Sequence, residues 1–404
     1  MVVQTNTRIV HVTECLASGT MNFLMQATRE LAATGARQVL LYSRRPDTPA
    51  DVRSLFDARV AMIELPALGR AYTAYAKTLR RAVLAQLYDG DDVTVHLHSS
   101  KAGFFGRLAL MGLRRPPRVF YSPHGLSFLN RRYVAPSVAF RALEWLAARA
   151  VPCTPVGCSR SEAALLGGIS PTAPRVLENA VDDSFFNVQP ARSTPPLVVT
   201  MGRACYQKAP ERFAEMAVRF QIAEVPARFV WIGSGDEVSE ARLRAAGVEV
   251  TGWVDLQQVQ RLLGEASLYV QTSRWEGMPL SVLQALAAGL PCVVTDVVGN
   301  RDAVRQGITG FVVDGVDAML ISVRRLLQDD ELRSRMSHAA RLDALERFGS
   351  DSFRSRLCRL YGLADGVPQA VTSGAGNRLR LQVSGHSTTV APQAESDWRN
   401  RASG

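Results

Sequence analysis

The stretch that decides the fold is SRWEGMPLSVLQALAAGLPCVVTDVVGNRDAVRQGITGFVV, residues 273–313. It follows the short apolar run SLYVQ (267–271), which is typical of a buried strand. Pro279 fits the first turn of a helix, where its missing N–H costs nothing, and the apolar residues after it continue that helix. The run PCVVT then predicts the next strand. A strand, a helix and a strand in succession indicate a parallel α/β sheet.

The start of this helix is a candidate anion site. Glu276 and Gly277 immediately precede the N-terminus of this helix, where free backbone N–H groups and the positive end of the helix dipole favour phosphate binding. Gly277 lets a ligand approach the backbone closely. Gln284 lies eight residues after Glu276, about one and a half turns into the helix. We expect its side chain to reach another part of the same ligand.

The same alternation of strand and helix runs through the whole chain and predicts two domains. The 404 residues are 47% hydrophobic and 21% charged, enough for two or three domains of roughly 150 residues. The predicted fold class is α/β, with two Rossmann-like doubly wound domains facing across a cleft that holds the ligand. Strands are predicted near 8–13, 38–42, 93–98, 118–122, 152–157 and 174–178, and again near 197–202, 227–232, 248–251, 267–271, 291–295 and 310–313.

Composition sets the domain boundaries. Three prolines lie in 187–197 and predict a stiff, extended linker. Beyond Leu363 the chain becomes rich in Gly, Ser, Thr, Pro and Gln, which predicts disorder. The predicted organisation is a first Rossmann-like domain at 1–186, the linker at 187–197, a second Rossmann-like domain at 198–348, a closing helix at 349–365 and a disordered tail at 366–404.

Cysteine usage and hydropathy favour a cytoplasmic protein. Six cysteines are scattered along the chain, which fits a reducing compartment and argues against a disulfide scaffold. No 18 consecutive residues are apolar, and no signal peptide is apparent.

Two further loops of the second half suggest a phosphorylated ligand. The strand PLVVTM ends in Gly202 and Arg203, and Lys208 follows at R-x4-K spacing. Two cations at one strand end would neutralise a diphosphate. Gly233 and Gly235 form another glycine loop after the strand RFVWI.

Together these motifs resemble the retaining glycosyltransferases with the GT-B fold and the E-x7-E motif, the group 1, family 4-like enzymes of bacterial exopolysaccharide, capsule and O-antigen synthesis. The resemblance covers roughly 8–362 and includes HSSKAGFFGRLA (98–109) and VLENAVDDSFF (176–186). It implies that the domain at 1–186 binds the acceptor and that the domain at 198–348 binds the nucleotide sugar. It further implies that Arg203 and Lys208 hold the donor diphosphate and that Glu276 binds hydroxyls of the transferred sugar. It also implies donor contacts from Gly233, Gly235, Gly277, Met278, Pro279 and Leu280.

One position departs from the family pattern. The second glutamate of the motif, which contacts the ribose diol in the family, falls on Gln284. An amide still offers one acceptor and one donor group to two hydroxyls. We therefore expect Gln284 to keep the ribose contact.

The first half offers two candidate residues beside the donor. The family usually has a glycine pair after its first strand, and ECLASGTMN keeps only Gly19. His124 stands at a strand end in SPHGLSF, and the resemblance implies that it lies near the reacting sugar and acts in catalysis. His96 and His98 alternate along one strand, and we interpret them as facing opposite sides of the sheet, so that no metal site is expected.

Positive charge is concentrated in the first half. The net charge is +10, and ten cations but only one acidic residue lie between Ser100 and Arg160. Lys101, Arg131 and Arg132 are candidates for contact with the acceptor or with an anionic membrane, at roughly 1 kcal/mol per basic residue. A solvated surface is the alternative.

The resemblance, together with these observations, implies a retaining, metal-independent glycosyltransferase without a cofactor. Its substrates would be a nucleotide-sugar donor and a lipid-linked glycan acceptor, and the enzyme would be cytoplasmic with peripheral contact to the inner membrane. Nucleic acid is not an expected partner. The alternatives are a sugar-nucleotide epimerase of GT-B-like fold and a non-enzymatic binder of anionic polymers or nucleic acid.

Overall fold

The computed structural model of the chain describes residues 7–69, 72–87, 92–130 and 134–364. Arg131, Arg132 and the tail predicted at 366–404 lie outside these residues. Within the described ranges, no helix is both long enough and apolar enough to cross a bilayer.

The first half forms a seven-stranded parallel sheet. Its strands are β1 (Thr7–Thr13), β2 (Arg37–Ser43), β3 (Val60–Leu65), β4 (Asp92–His98), β5 (Arg118–Ser122), β6 (Thr154–Gly157) and β7 (Arg175–Val176). They pair in the order β3-β2-β1-β4-β5-β6-β7. The helices are α1 (Ser18–Ala33), α2 (Tyr72–Ala85), α3 (Ser100–Leu110), α4 (Val134–Ala150) and α5 (Arg160–Gly167).

The second half forms a six-stranded parallel sheet. Its strands are β8 (Leu197–Met201), β9 (Arg228–Ile232), β10 (Glu249–Val250), β11 (Leu268–Gln271), β12 (Cys292–Thr295) and β13 (Gly310–Val313), in the order β10-β9-β8-β11-β12-β13. The helices are α6 (Pro210–Ile222), α7 (Glu237–Ala245), α8 (Leu256–Glu265), α9 (Leu280–Ala287), α10 (Asn300–Ala303), α11 (Gly315–Gln328), α12 (Asp330–Phe348) and α13 (Ser350–Tyr361).

The strand orders locate the ligand crevices. Strand order reverses between β1 and β4 in the first sheet and between β8 and β11 in the second. In doubly wound sheets, ligands bind outside the carboxyl ends of the strands at such a reversal. The loops that follow β8 and β11 contain Arg203, Lys208 and Glu276, so the fold brings these predicted site residues to one crevice.

Both sheets are covered by helices, and the chain crosses back to the first domain at its end. The interior positions of β1 and β4 are buried, as expected for strands covered on both faces. Helix α13 follows the helices of the second domain, yet Phe353, Leu357 and Tyr361 pack into the core of the first sheet. The closing helix is therefore part of the first domain's core.

Strand β3 is not among the strands predicted from the sequence. Only Val60 and Leu65 of its six residues are buried, because β3 is an edge strand that pairs with β2 alone. A strand with so few buried positions carries little hydrophobic pattern.

Candidate active site

The carboxylate of Glu276 is held rigidly at the carboxyl end of β11. Its Oε1 atom lies 2.8 Å from Lys208 Nζ and accepts hydrogen bonds from Ser273 Oγ at 2.6 Å and Gln271 Nε2 at 3.0 Å. The residue is only 6% exposed. All three contacts go to Oε1, so Oε2 accepts none of them and is available for another partner.

The helix start beside Glu276 is packed against loops of the first domain. A Cβ at Gly277 would lie 2.9 Å from Gly125 N and 3.0 Å from Cys158 Sγ, so only glycine fits here. Asn179 Nδ2 donates to Met278 O at 2.9 Å. Helix α9 begins at Leu280 with Pro279 as its N-cap, one residue later than predicted. The sequence suggested that Gly277 allows a ligand to approach the backbone. In the structure, close packing between the two domains also requires a glycine at this position.

Arg203 and Lys208 have different partners, although both follow β8. Arg203 is half-exposed and pairs with Asp47 of the first domain, with Nη2 3.3 Å from Oδ2. These two residues line an open cavity of about 610 Å³ together with Gly235 and Trp253. Lys208 instead contacts Glu276. The two cations therefore stand at the same crevice but are neutralised separately.

The glycine loop after β9 is tightly packed against the loop after β8. A Cβ at Gly233 would lie 2.4 Å from Gly202 O, and one at Gly235 would lie 1.9 Å from Ala204 O. Gly233 also has a φ of +132°. These glycines shape the loop, and their contact with a donor stays a prediction.

Gln284 lies away from the Glu276 contacts. It lines a separate cavity of about 480 Å³ between α9 and the first domain, with Leu280, Asn22, Arg29 and Asp182 among the other lining residues. The other polar residues that line this cavity all belong to the first domain. The ribose contact stays a prediction.

The predicted residues of the first domain fall into two groups. Gly19 is exposed in the first turn of α1, and open space surrounds the position of an added Cβ. Lys101 is exposed in the first turn of α3. His124 is partly buried, and the next residue, Gly125, abuts Gly277. The fold therefore brings His124 close to the helix start of the second domain.

His124 is part of a polar cluster at the end of the first sheet. Its backbone is left-handed with a φ of +54°, and its Nε2 lies 3.0 Å from His98 Nδ1. The Phe23 ring packs against it with centroids 4.6 Å apart. Burial lowers the pKa of His124 to about 4, so the imidazole is neutral near pH 7.

The interpretation of His96 and His98 as facing opposite sides of the sheet is wrong. Residues i and i+2 of a strand share a face, and ligand atoms of His11, His96 and His98 lie within 4.8 Å of one another. Among the described residues, these three histidines form a group that could hold a metal ion. Five of its six ring nitrogens already take part in hydrogen bonds, to one another, to Tyr361, to Ser122 and to His124, and His11 Nε2 does not. The absence of a metal stays a prediction.

Several residues that hold the site together are not among those predicted from the sequence. Gln271 and Ser273 bond Glu276, and both stand at the end of β11, immediately before the motif. Glu162 is fully buried and accepts hydrogen bonds from the backbone N–H groups of Gly125 and Cys158, both at 2.8 Å. Asp47 pairs with Arg203 from a loop without a recognisable motif.

Comparison with known proteins agrees with this geometry. Residues 17–185 match the model of Glycosyltransferase Family 4, and residues 181–343 match that of Glycosyl transferases group 1. The chain belongs to the group 1 glycosyltransferases with the GT-B fold.

Two relatives and one solved structure illustrate the similarity. An Escherichia coli UDP-Gal:alpha-D-GlcNAc-diphosphoundecaprenol alpha-1,3-galactosyltransferase is 29% identical over 59% of this chain and 67% of its own length. A Campylobacter jejuni N,N'-diacetylbacillosaminyl-diphospho-undecaprenol alpha-1,3-N-acetylgalactosaminyltransferase is 30% identical over 41% of this chain and 44% of its own. The sucrose-phosphate synthase of Thermosynechococcus elongatus is 17% identical, covers 88% of this chain and 98% of its own, and superposes with a TM-score of 0.74. That last likeness concerns the fold alone.

Proposed function

We propose that this glycosyltransferase moves a sugar from a nucleoside-diphosphate sugar to a lipid-linked glycan acceptor, with retention of anomeric configuration, in bacterial surface polysaccharide synthesis. The observation that carries the proposal is the fixed carboxylate of Glu276. Lys208, Ser273 and Gln271 hold one of its oxygens. The other oxygen is free to accept hydrogen bonds from hydroxyl groups of the transferred sugar.

The donor diphosphate would bind between Arg203, Lys208 and the start of α9. Both cations stand at the reversal of strand order, where a doubly wound sheet binds its ligand. Each cation is paired with a carboxylate in the structure. The diphosphate would therefore displace Asp47 from Arg203, and it would bind Lys208 while Lys208 still contacts Glu276. These charges stabilise the leaving diphosphate as its negative charge grows, and the proposed mechanism uses neither a metal nor a cofactor.

The proposed transfer is a front-face substitution. The bond between the anomeric carbon and the diphosphate oxygen breaks, and a bond from that carbon to the acceptor hydroxyl oxygen forms on the same face. The acceptor proton passes to the departing phosphate oxygen. His124 and Glu276 position the sugar, and the rate gain comes from positioning and electrostatic stabilisation.

The relatives support a lipid-linked acceptor. The Escherichia coli and Campylobacter jejuni proteins are both named for acceptors carried on diphosphoundecaprenol, and the former for a UDP-sugar donor. We therefore propose an undecaprenyl-diphosphate glycan as the acceptor and UDP as the first donor nucleotide to test.

We also propose peripheral binding to the cytoplasmic membrane through the surface of α3 and α4. Both helices expose large apolar side chains, with Trp145 at 45% and Leu146 at 56% exposure, and the stretch around them is strongly basic. Apolar residues beside cations suit an anionic bilayer surface. Lipid-linked substrates lie in that surface.

The test is a transfer assay with defined substrates. UDP- and GDP-sugars are mixed with undecaprenyl-diphosphate carrying one sugar, and the product is analysed by mass and by the NMR coupling of its anomeric proton. An elongated lipid with the donor's anomeric configuration is expected. An inverted product would contradict the retaining mechanism.

Two further outcomes separate the alternatives. Conversion of the nucleotide sugar to its epimer without acceptor would favour an epimerase. Salt-sensitive binding of RNA or DNA, with no thermal shift from nucleoside diphosphates, would favour a polymer binder. A true donor at 100 times its Kd should add about 2.7 kcal/mol to the free energy of unfolding.

A further inference from the structure

Three imidazoles form a continuous chain from the core of the first sheet to His124. His11 lies on β1, His98 lies on β4 and His124 follows β5. His11 Nδ1 lies 3.1 Å from His98 Nε2, and His98 Nδ1 lies 3.0 Å from His124 Nε2. His11 and His98 are fully buried. Both ring nitrogens of His98 therefore take part in the chain. His124 takes part through Nε2 only, and its Nδ1 is not used by the chain.

The side chain of Gln38 sets the direction of this chain. Its Nε2 donates to Thr28 O at 2.9 Å, which fixes the orientation of the amide. Gln38 Oε1 and His11 Nε2 are both buried, and neither has another hydrogen-bond partner among the described residues. Gln38 pairs with Ile9 across β1 and β2, and His11 is two residues after Ile9, so the two side chains lie on the same face of the sheet. A side-chain hydrogen bond to Gln38 also raises the pKa of His11, against the larger effect of burial. An amide oxygen only accepts, so His11 Nε2 carries the proton.

The remaining proton positions follow in turn. With its proton on Nε2, neutral His11 accepts at Nδ1 from His98 Nε2–H. His98 then accepts at Nδ1 from His124 Nε2–H. This leaves a lone pair on His124 Nδ1.

We propose that Gln38, His11 and His98 are positioning residues that fix this tautomer of His124, and that His124 Nδ1 accepts a hydrogen bond from a hydroxyl group of the transferred sugar. The assignment of a sugar hydroxyl rests on the proposed function; the tautomer does not. The site would thereby favour donors with a hydroxyl at that position over their deoxy analogues.

The surroundings support a fixed, neutral acceptor. Burial lowers the pKa of His11 and of His124 to about 4, and it also lowers that of His98, so no ring in the chain is charged at neutral pH. Phe23 packs against the rings of His98 and His124. The loop of His124 is anchored by the bond from Gly125 N to Glu162.

His96 provides a matched control because it belongs to a separate branch. It lies on the same strand as His98, is equally buried, and bonds Ser122 Oγ at 2.9 Å and Tyr361 Oη at 2.5 Å. Removing its ring nitrogens would disturb the same core without touching the bonds between His11, His98 and His124.

The direct test is nitrogen NMR of the ligand-free, full-length protein labelled with ¹⁵N-histidine. Two-bond ¹H–¹⁵N spectra distinguish a protonated from an unprotonated ring nitrogen, and a His124→Asn variant assigns the His124 signals. We expect an unprotonated Nδ1 and a protonated Nε2 at His124. His98→Phe should change both His124 nitrogen signals, and His96→Phe should leave them in place. A protonated Nδ1 in the wild type, or His124 signals insensitive to His98→Phe, would overturn the proposal.

Kinetics and metal titration complete the test. We expect His98→Phe to lower kcat by about tenfold, because the site then loses one hydrogen bond to the reacting ligand. His96→Phe should lower the thermal stability as much as His98→Phe does, but should keep the wild-type kcat. Equal loss of kcat in both variants would mean a structural role only. Stoichiometric Zn²⁺ binding that shifts the nitrogens of His11, His96 and His98 would replace the proposal with a metal site. The NMR measurements need no substrate, so their failure is distinguishable from the failure of sugar transfer.

Discussion

Lys208 Nζ lies 2.8 Å from Glu276 Oε1, and this ion pair joins the ends of β8 and β11, where the strand order of the second sheet reverses. Neither side chain is well exposed, at 18% for Lys208 and 8% for Glu276. Each partner therefore compensates the desolvation of the other. The same pair stands where the donor diphosphate and the transferred sugar are proposed to meet.

The first prediction concerns the stability of this pair. Lys208→Met leaves the Glu276 carboxylate without its cation and should cost about 3 kcal/mol of unfolding free energy. Adding Glu276→Gln should recover part of the loss. Denaturant unfolding of both variants checks this, with the exposed Lys77→Met as control. A double variant as unstable as the sum of the two single variants would show that the pair is not coupled.

The fold could be predicted from the sequence because the signals that specify it are local. The run from Trp275 to Leu290 carries a glycine, a proline and a helical apolar pattern that fit one strand-to-helix turn. The partners of the site residues carry no such pattern, since Asp47 and Glu162 come close to the site only through tertiary packing. The prediction for His96 and His98 is wrong because residues two apart in a strand lie on the same face, which brings both rings beside His11.

A second prediction concerns the pair of Arg203 and Asp47. The diphosphate must displace Asp47 from Arg203, and a half-exposed pair is worth at most about 1 kcal/mol. Asp47→Asn should therefore lower the donor KM by up to about fivefold and leave kcat unchanged. Asp51→Asn, an exposed residue of the same loop, is the control. A raised KM would mean that Asp47 itself helps to bind the donor.

A third prediction follows from the lowered pKa of His11. Its pKa is about 4 in the folded protein against an ordinary value of 6.5, because the ring is buried. The unfolded chain binds more protons between these values, so the contribution of His11 to stability falls as the pH falls from 6.5 to 4. The stability difference between wild type and His11→Phe should shrink by at least about 1 kcal/mol over this range. A constant difference between wild type and His11→Phe over this range would refute the prediction.

A fourth prediction addresses the membrane surface. Trp145→Ser with Leu146→Ser should weaken binding to anionic liposomes by about tenfold or more, because both side chains are exposed on α4. Arg131→Glu with Arg132→Glu should weaken it too and soften its salt dependence. Ile222→Ser removes a comparably exposed residue of the second domain and should have no effect. Liposome co-sedimentation measures all three, and unchanged binding of the first two would indicate a solvated surface.

The most direct test of the proposed site is steady-state kinetics of Glu276→Gln and Gln284→Glu with the true donor. Hydrogen bonds of Glu276 to the transferred sugar must persist as the glycosidic bond breaks, and charge-assisted bonds are worth roughly 1.5–3 kcal/mol. Glu276→Gln should therefore lower kcat by at least about tenfold, whereas Gln284→Glu, remote from bond breaking, should change chiefly the donor KM, by less than about tenfold. A silent Glu276→Gln with an inactive Gln284→Glu would contradict the site assignment.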